Sequence, residues 1–254
     1  MKRFGLIGHP IAGSLSPCLF EAAYGGRYAY DLLEGADFGS SWQRFLDDYD
    51  GINITAPFKQ DAFRSVDLLS DDARLCGAVN LAVKTPAGIL GCNTDVDGVM
   101  LAVRETGLPV SDALVVGCGG AGRAAAVAAL RLGCRVHVAN RTSSRAADLA
   151  DDLNARFIRS DAPVDGPACS WVPADALAAL SPDLVIYTVP GPMEGLPDFP
   201  DAVILEANYR TPVLEGHGKA YVSGLRWLLF QAVAGYHLFT GEIPDSDAMF
   251  RIFC

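Results

Sequence analysis

The chain has 254 residues, half of them hydrophobic and 20% charged, and a formal net charge of −10. This is ample apolar material for one large domain or two ordinary ones. The acidic balance excludes a nucleic-acid partner, which needs a basic footprint. Any bound phosphate must be held by local cations against an unfavourable overall field.

Phe4–Gly8 reads as a first strand, followed by the turn His9-Pro10. In Gly13-Ser14-Leu15-Ser16-Pro17, Ser16 precedes a proline and suits the N-cap of a helix running to Tyr24. Ser14 has no such duty. In an extended segment Ser14 and Ser16 point to the same side and together could clasp a small anionic or polyhydroxylated ligand. Arg27–Leu33 reads as a strand and Phe38–Asp48 as a helix. Gly51–Thr55 is a further strand whose alternation places Ile52 and Ile54 inside and Asn53 and Thr55 outside, as on a half-buried edge. Lys59 falls in the first turn of the next helix, where a cation is mildly unfavourable; such a lysine is a surface residue or a functional one.

Leu75–Val83 carries CGAVN and Gly91–Gly98 carries GCNTDVDG, which group Asn80, Asn93, Thr94 and Asp95 around turns between apolar strands. Asp95 fits an N-cap of a helix over Val96–Thr106, along which a domain boundary falls. Ala113–Val116 is a short apolar strand followed at once by Gly117, Gly119, Gly120 and Gly122, then by an alanine-rich helix to about Leu132 and a second strand, Arg135–Ala139. Strand, glycine turn, helix and strand in this order mark a dinucleotide site, where a pyrophosphate approaches backbone N–H groups at a helix N-terminus. An NAD site places an acidic residue about 20 residues on. This chain has Asn140-Arg141-Thr142 there, with Arg145 one turn later, so two guanidiniums and a hydroxyl are set to take a 2′-phosphate, and the expected cofactor is NADP.

Helices are expected over Ser143–Leu153 and Pro173–Leu180, strands over Asp183–Tyr187 and Ala202–Ala207, and a turn at Asn208–Pro212. Gly166–Pro173 and Pro190–Pro200 read as loops. Leu225–Phe239 is a long apolar helix interrupted by Gln231, which faces solvent or a ligand. The alternation of strand and helix predicts an α/β chain with two parallel sheets. Trp227–Gly241 is too short to span a bilayer. The start, FGLIG, carries no signal-peptide core, and the seven cysteines occur singly, so a reducing cytoplasm is expected. Cys76, Cys118 and Cys134 read as small buried hydrophobes. The four histidines share no motif, and no metal is assigned.

Taken together, these segments resemble the shikimate dehydrogenase family over almost the whole chain and in the same order. GSLSP resembles HSxSP, NITAPFK resembles NVTxPFK, GAVN matches in full and GCNTD resembles GxNTD. GCGGAGRA resembles GAGGAxRA, NRTSSRA resembles NRTxxRA, and LLFQA resembles LVxQA. The resemblance implies an N-terminal α/β substrate-binding domain (1–98 with 225–254), a Rossmann NADP-binding domain (99–224), a last helix returning to the first domain, and substrate in the cleft between them. It assigns Ser14 and Ser16 to the substrate carboxylate with Tyr209 nearby, and Thr55, Asn80, Asp95 and Gln231 to the ring hydroxyls. Lys59 and Asp95 become the catalytic pair. Cofactor contacts fall on Gly117, Gly119, Gly120, Ala121, Gly122, Asn140, Arg141, Thr142, Arg145 and Gly224.

The implied reaction is reversible, NADP-dependent reduction of 3-dehydroshikimate to shikimate, by a monomer or homodimer. Departures stand at Gly13, for the family's histidine, and at Tyr187–Met193, for NATPxGM, with Pro192 in place of a glycine. Arg226 and Trp227 replace a glycine and a methionine, and the segment before Gly51 is short. They leave open an enzyme that also takes quinate and a non-catalytic binding paralogue. Retention of both Lys59 and Asp95 argues against the latter, and the GSLSP and NITAPFK segments argue against a two-domain dehydrogenase of folates or amino acids.

Overall fold

The computed structural model describes residues 2–159 and 169–253. The expected loop over Gly166–Pro173 lies partly outside them. The chain forms two compact units, Met1–Thr94 with Leu229–Cys254, and Asp95–Leu228.

The first unit holds strands β1 (Arg3–Gly8), β2 (Ala29–Glu34), β3 (Gly51–Ile54), β4 (Leu68–Leu69), β5 (Leu81–Thr85) and β6 (Gly88–Cys92). Its helices include α1 (Ser16–Tyr24), α2 (Phe38–Asp48), α3 (Lys59–Ser65) and α4 (Asp71–Cys76). The strand order is β2-β1-β3-β5-β6-β4. β1 runs parallel to β2 and β3, but β5 is antiparallel to both β3 and β6. This sheet is therefore mixed, not parallel. The cause is a tight hairpin between β5 and β6, in which the Thr85 hydroxyl donates to Gly88 O at 2.7 Å. The expectation for β3 also fails: it is an interior strand with every residue buried, and Asn53 is 8% exposed. α4 follows its local signals. Ser70 caps its N-terminus, Asp71 and Asp72 occupy its first turn, and Gly77 ends it in the left-handed region at φ 61°.

Ile7, Leu33, Phe45 and Ile52 pack with Trp42 into one core. A second, aromatic cluster joins Phe4 and Phe20 to Tyr236 and Phe239, with Phe4 stacked on Phe239 at 4.9 Å and Phe20 edge-on to Tyr236 at 4.7 Å. Such geometries add about 0.5–1.5 kcal/mol per pair beyond the area buried. They fix the helical segment carrying Gln231 and Tyr236 against β1 and α1.

The second unit begins with α5 (Asp95–Arg104) and continues through β7 (Asp112–Val116), α6 (Gly120–Arg131), β8 (Arg135–Ala139), α7 (Ser143–Arg159) and β9 (Cys169–Trp171). β10 (Leu184–Tyr187), β11 (Val203–Glu206) and β12 (Ala220–Ser223) complete its sheet. The order β12-β11-β10-β7-β8-β9 is parallel throughout. From its centre it reads as the doubly wound arrangement of dinucleotide-binding folds, with a switch point between β7 and β10. Ala174–Ala179 is a 3₁₀ segment rather than the expected α-helix. The unit boundary falls inside α8 (Gly224–Thr240), and α9 (Ser246–Phe250) closes the chain.

Candidate active site

In the first unit the polar residues of four separated segments converge. The Asn80 side chain accepts from the Thr94 backbone N–H at 2.8 Å, and its amide donates to Thr94 Oγ1 at 3.2 Å and to Gln231 Oε1 at 3.4 Å. Asn80 O accepts from the Ile54 N–H at 2.8 Å, which ties this group to the end of β3, one residue before Thr55. Asn80 and Thr94 are 3% and 2% exposed, so they keep their amide and hydroxyl groups only because each is hydrogen-bonded. Gln231 is half-buried and turned toward this group, which settles its two sequence readings in favour of an inward position. Lys59 opens α3, and its carbonyl accepts from the Val79 N–H at 2.9 Å, so the GAVN turn fixes the backbone from which the lysine projects. Asp95 is 8% exposed and is the first residue of α5, inside the helix rather than its expected cap.

Ser14 and Ser16 also meet, with the Ser14 hydroxyl donating to Ser16 Oγ at 3.1 Å. The route differs from the expected extended one. Leu15 is helical (φ −81°, ψ −8°) and Ser16 begins α1, so Ser16 is not the cap. Ser14 takes a local structural role instead, accepting from the Ser16 N–H at 3.2 Å.

Three residues here have no forerunner among the sequence candidates: Tyr30, Asn53 and Tyr236. Tyr30 donates to Asn53 Oδ1 at 2.8 Å, and Tyr236 donates to Ser16 O at 3.0 Å. Burial pushes both phenols far above the ordinary tyrosine range, so both stay neutral donors. The signal for Asn53 was its strand alternation, which pointed outward and misled.

In the second unit the loops after β7 and β10 touch at the switch point. The Thr188 N–H and hydroxyl both donate to Val116 O, at 2.9 and 2.8 Å. The glycines of the turn divide the work. Gly117 sits at φ +111°, and a Cβ there would strike Thr188 Oγ1. A Cβ on Gly122 would strike Gly117 O, so the glycine lets α6 pack onto the turn. Gly119 faces open space, at the uncapped N-terminus of α6, which has no acidic residue in its first turn. Exposed backbone N–H groups with room before them are what a pyrophosphate requires. Gly120 and Ala121 form the first turn of that helix.

After β8, Asn140 donates to Thr142 O at 3.1 Å, and Arg145 N–H closes onto the same carbonyl. Arg141, Thr142 and Arg145 are exposed, and neither arginine has a carboxylate partner among the described residues. Arg123 differs: it lies 2.6 Å from Asp152, which also takes Arg156 at 2.8 Å. The Arg145 guanidinium acts electrostatically on Cys118 in the glycine turn, and Arg141 acts on Tyr187 at the end of β10. Arg141 and Arg145, exposed in the loop after β8 and without a carboxylate partner among the described residues, suit a dinucleotide carrying an extra phosphate. Burial still pushes the Cys118 thiol up to about 11, against the charges of Arg123 and Arg145, so it remains protonated.

The divergent segments are well anchored. The Tyr187 hydroxyl donates to Gly191 O at 2.7 Å and Met193 is buried, which fixes the Tyr187–Met193 loop. Arg226 pairs with Glu105, and Trp227 is 5% exposed. A Cβ on Gly224 would strike the carbonyls of Glu206 and Ala207, so only glycine lets α8 start there. Tyr209 lies in the loop after β11, whose Glu206 carboxylate accepts from the N–H groups of Val213 and Leu214 at 2.8 and 3.0 Å. Among the described residues no group of three His, Cys, Asp or Glu could hold a metal, and no helix is long and apolar enough to cross a membrane.

Residues 6–82 match the shikimate dehydrogenase substrate binding domain, and residues 85–199 match the alanine dehydrogenase/PNT C-terminal domain. A shikimate dehydrogenase (NADP(+)) of Rubrobacter xylanophilus is 38% identical over 97% of this chain and 93% of its own. The shikimate 5-dehydrogenase of Thermus thermophilus, solved with NADP(H) and shikimate, superposes with a TM-score of 0.82 at 28% identity, covering 99% and 98% of the two chains. A quinate dehydrogenase of Corynebacterium glutamicum, solved with NAD, gives 0.86 at 27% identity over the same shares.

Proposed function

The chain belongs to the shikimate dehydrogenase family, and from that premise we propose that it catalyses the reversible, NADP-dependent reduction of 3-dehydroshikimate to shikimate. The observation that carries this reading is the meeting of Asn80 with Gln231, 151 positions apart, around Thr94 at the head of α5. A chain that needed only stability would not bury several amides and hydroxyls together.

In this reading Ser14 and Ser16, with Tyr209, take the substrate carboxylate, and Thr55, Asn80, Asp95 and Gln231 take the ring hydroxyls. Serines bind the carboxylate by hydrogen bonds without a full ion pair. When bound, the cofactor supplies or accepts the hydride at the substrate's carbon. The chain's part is to govern the proton on the adjacent oxygen. Lys59 supplies that proton or stabilises the developing alkoxide, with Asp95 as the second member of the catalytic pair. Gly119 and the first turn of α6, Gly120 to Gly122, face the pyrophosphate, Gly117 and Gly224 give room for the turns, and Asn140, Arg141, Thr142 and Arg145 take the 2′-phosphate. A cytoplasmic workplace belongs to the same proposal.

The likeness to quinate dehydrogenase favours one second reading, in which quinate is also a substrate. The test is absorbance at the reduced-nicotinamide band with shikimate or quinate, each with NADP or NAD. Reduction of NADP by shikimate is expected. Reduction only of NAD refutes the role given to the arginines, and comparable kcat/KM for quinate replaces the narrow substrate assignment with the broad one.

A further inference from the structure

Resting on the reading that Tyr209 takes the substrate carboxylate, we propose that Glu206 is a positioning residue for that tyrosine: its buried side chain clamps the far end of the loop that carries Tyr209. Glu206 ends β11 and is 0% exposed. Its Oε1 accepts from the Val213 N–H at 2.8 Å, and its Oε2 from the Leu214 N–H at 3.0 Å and the Tyr221 hydroxyl at 3.2 Å. None of these partners is a cation, and no ion pair to Glu206 occurs among the described residues. Burial, and then the Glu206 charge, push the Tyr221 phenol above the ordinary tyrosine range, so it stays a neutral donor.

The near end of the same loop is held separately, by the Ala207 N–H donating to Tyr187 O at 2.8 Å. Between the two clamps, the Asn208 amide donates to Thr211 O at 2.9 Å and to Thr211 Oγ1 at 3.0 Å, which closes the turn in which Tyr209 lies. Val213 and Leu214 pack their side chains on the apolar cluster of Tyr187, Met193 and Ile204, which already holds the downstream segment against the sheet. A carboxylate taken out of water without a cation is costly, so mere attachment does not explain it. What Glu206 adds is direction. Charge-assisted hydrogen bonds to two successive N–H groups fix the path of the backbone, where apolar packing fixes only its depth.

The experiment compares the full chain with E206Q, Y209F and the double variant, by initial rates with shikimate at saturating NADP and by calorimetry for NADP affinity. In E206Q the side-chain amide can still accept one N–H but turns its own N–H group toward the other. Y209F is expected to raise KM for shikimate about tenfold or more, the size of a lost hydrogen bond to a charged group. E206Q is expected to raise it about three- to tenfold, with kcat changed less than about threefold and NADP affinity less than about twofold. In the Y209F background E206Q adds less than about twofold, because the hydroxyl it positions is gone. Equal effects of E206Q in both backgrounds, a matching loss of NADP affinity, or no effect on KM overturns the inference while the assignment of Tyr209 stands. An unchanged KM in Y209F removes Tyr209 from the carboxylate site, and the inference falls with it. No reduction of NADP by the parent removes the functional reading beneath both. Should E206Q not fold, Y221F, which takes away one donor and leaves both N–H bonds, is read in the same cycle, and additivity with Y209F there is equally decisive.

Discussion

Removing the side chains of Arg141 and Arg145 separates the two dinucleotides. Both arginines are exposed and have no carboxylate partner among the described residues, so the high-dielectric limit applies. At 4 Å in water a unit charge pair is worth about 1 kcal/mol, and a 2′-phosphate carries close to two charges, giving about 2 kcal/mol per arginine. That is about 30-fold in kcat/KM for each single alanine variant, and somewhat less than the product for the pair, because the two cations share one phosphate. NAD lacks that phosphate, so its kcat/KM should change by less than about twofold. The assay is initial rates of R141A, R145A and the double variant with each cofactor at low and high salt. The losses with NADP should shrink in high salt, where the screening length falls to about 3 Å at 1 M. Equal losses with both cofactors, or losses indifferent to salt, would refute the reasoning: the arginines would then be shaping the loop rather than reading a charge.

K59A tests the proton assignment: kcat should fall about 10²- to 10⁴-fold while shikimate affinity, read by calorimetry, changes little; an unchanged kcat removes Lys59 from the chemistry. Asp152 tests the frame of the nucleotide unit. Burial alone would raise its pKa, but the hydrogen bonds and charges of Arg123 and Arg156 outweigh it and hold the carboxyl below its ordinary value of 3.8. A depressed carboxyl stabilises the fold above its unfolded pKa and loses that contribution as pH falls through the folded one. D152N should therefore lower Tm at neutral pH, and the gap from the parent should close only on acidification below about 4. A gap independent of pH would mean the variant acts through packing.

The glycine turn, its flanking strands and the exposed arginines after β8 were legible because their determinants are local: a sharp turn, room for phosphate and a helix start lie within one stretch of chain. The substrate side was legible only as motifs. Nothing near Gln231 announces that it faces Asn80, since the partners are 151 positions apart and packing of Tyr236 and Phe239 on Phe4 and Phe20 sets the rotation of the helix. Asn53 was misread because alternation predicts two faces, whereas an interior strand covered on both sides buries both. Its polarity is tolerated because Tyr30, on another strand, donates to its Oδ1 and its amide donates to Asn80 O. Ser16 looked like a cap, but Leu15 turns early and Ser14 assumes the local hydrogen bond. The antiparallel part of the first sheet was hidden by a short hairpin whose strands were read as turn flanks.

The division of labour among the three glycines implies two separate selection pressures within six residues. Gly117 and Gly122 are demanded by atoms of the chain itself, so a side chain there should be rejected during folding, before any ligand is met. Gly119 has nothing of the chain before it. If Gly119 faces the pyrophosphate as proposed, a side chain there should leave a well-folded product that no longer holds its cofactor. A screen that ranks variants by expression or melting temperature would retain such a molecule, and only a screen that reads turnover would discard it.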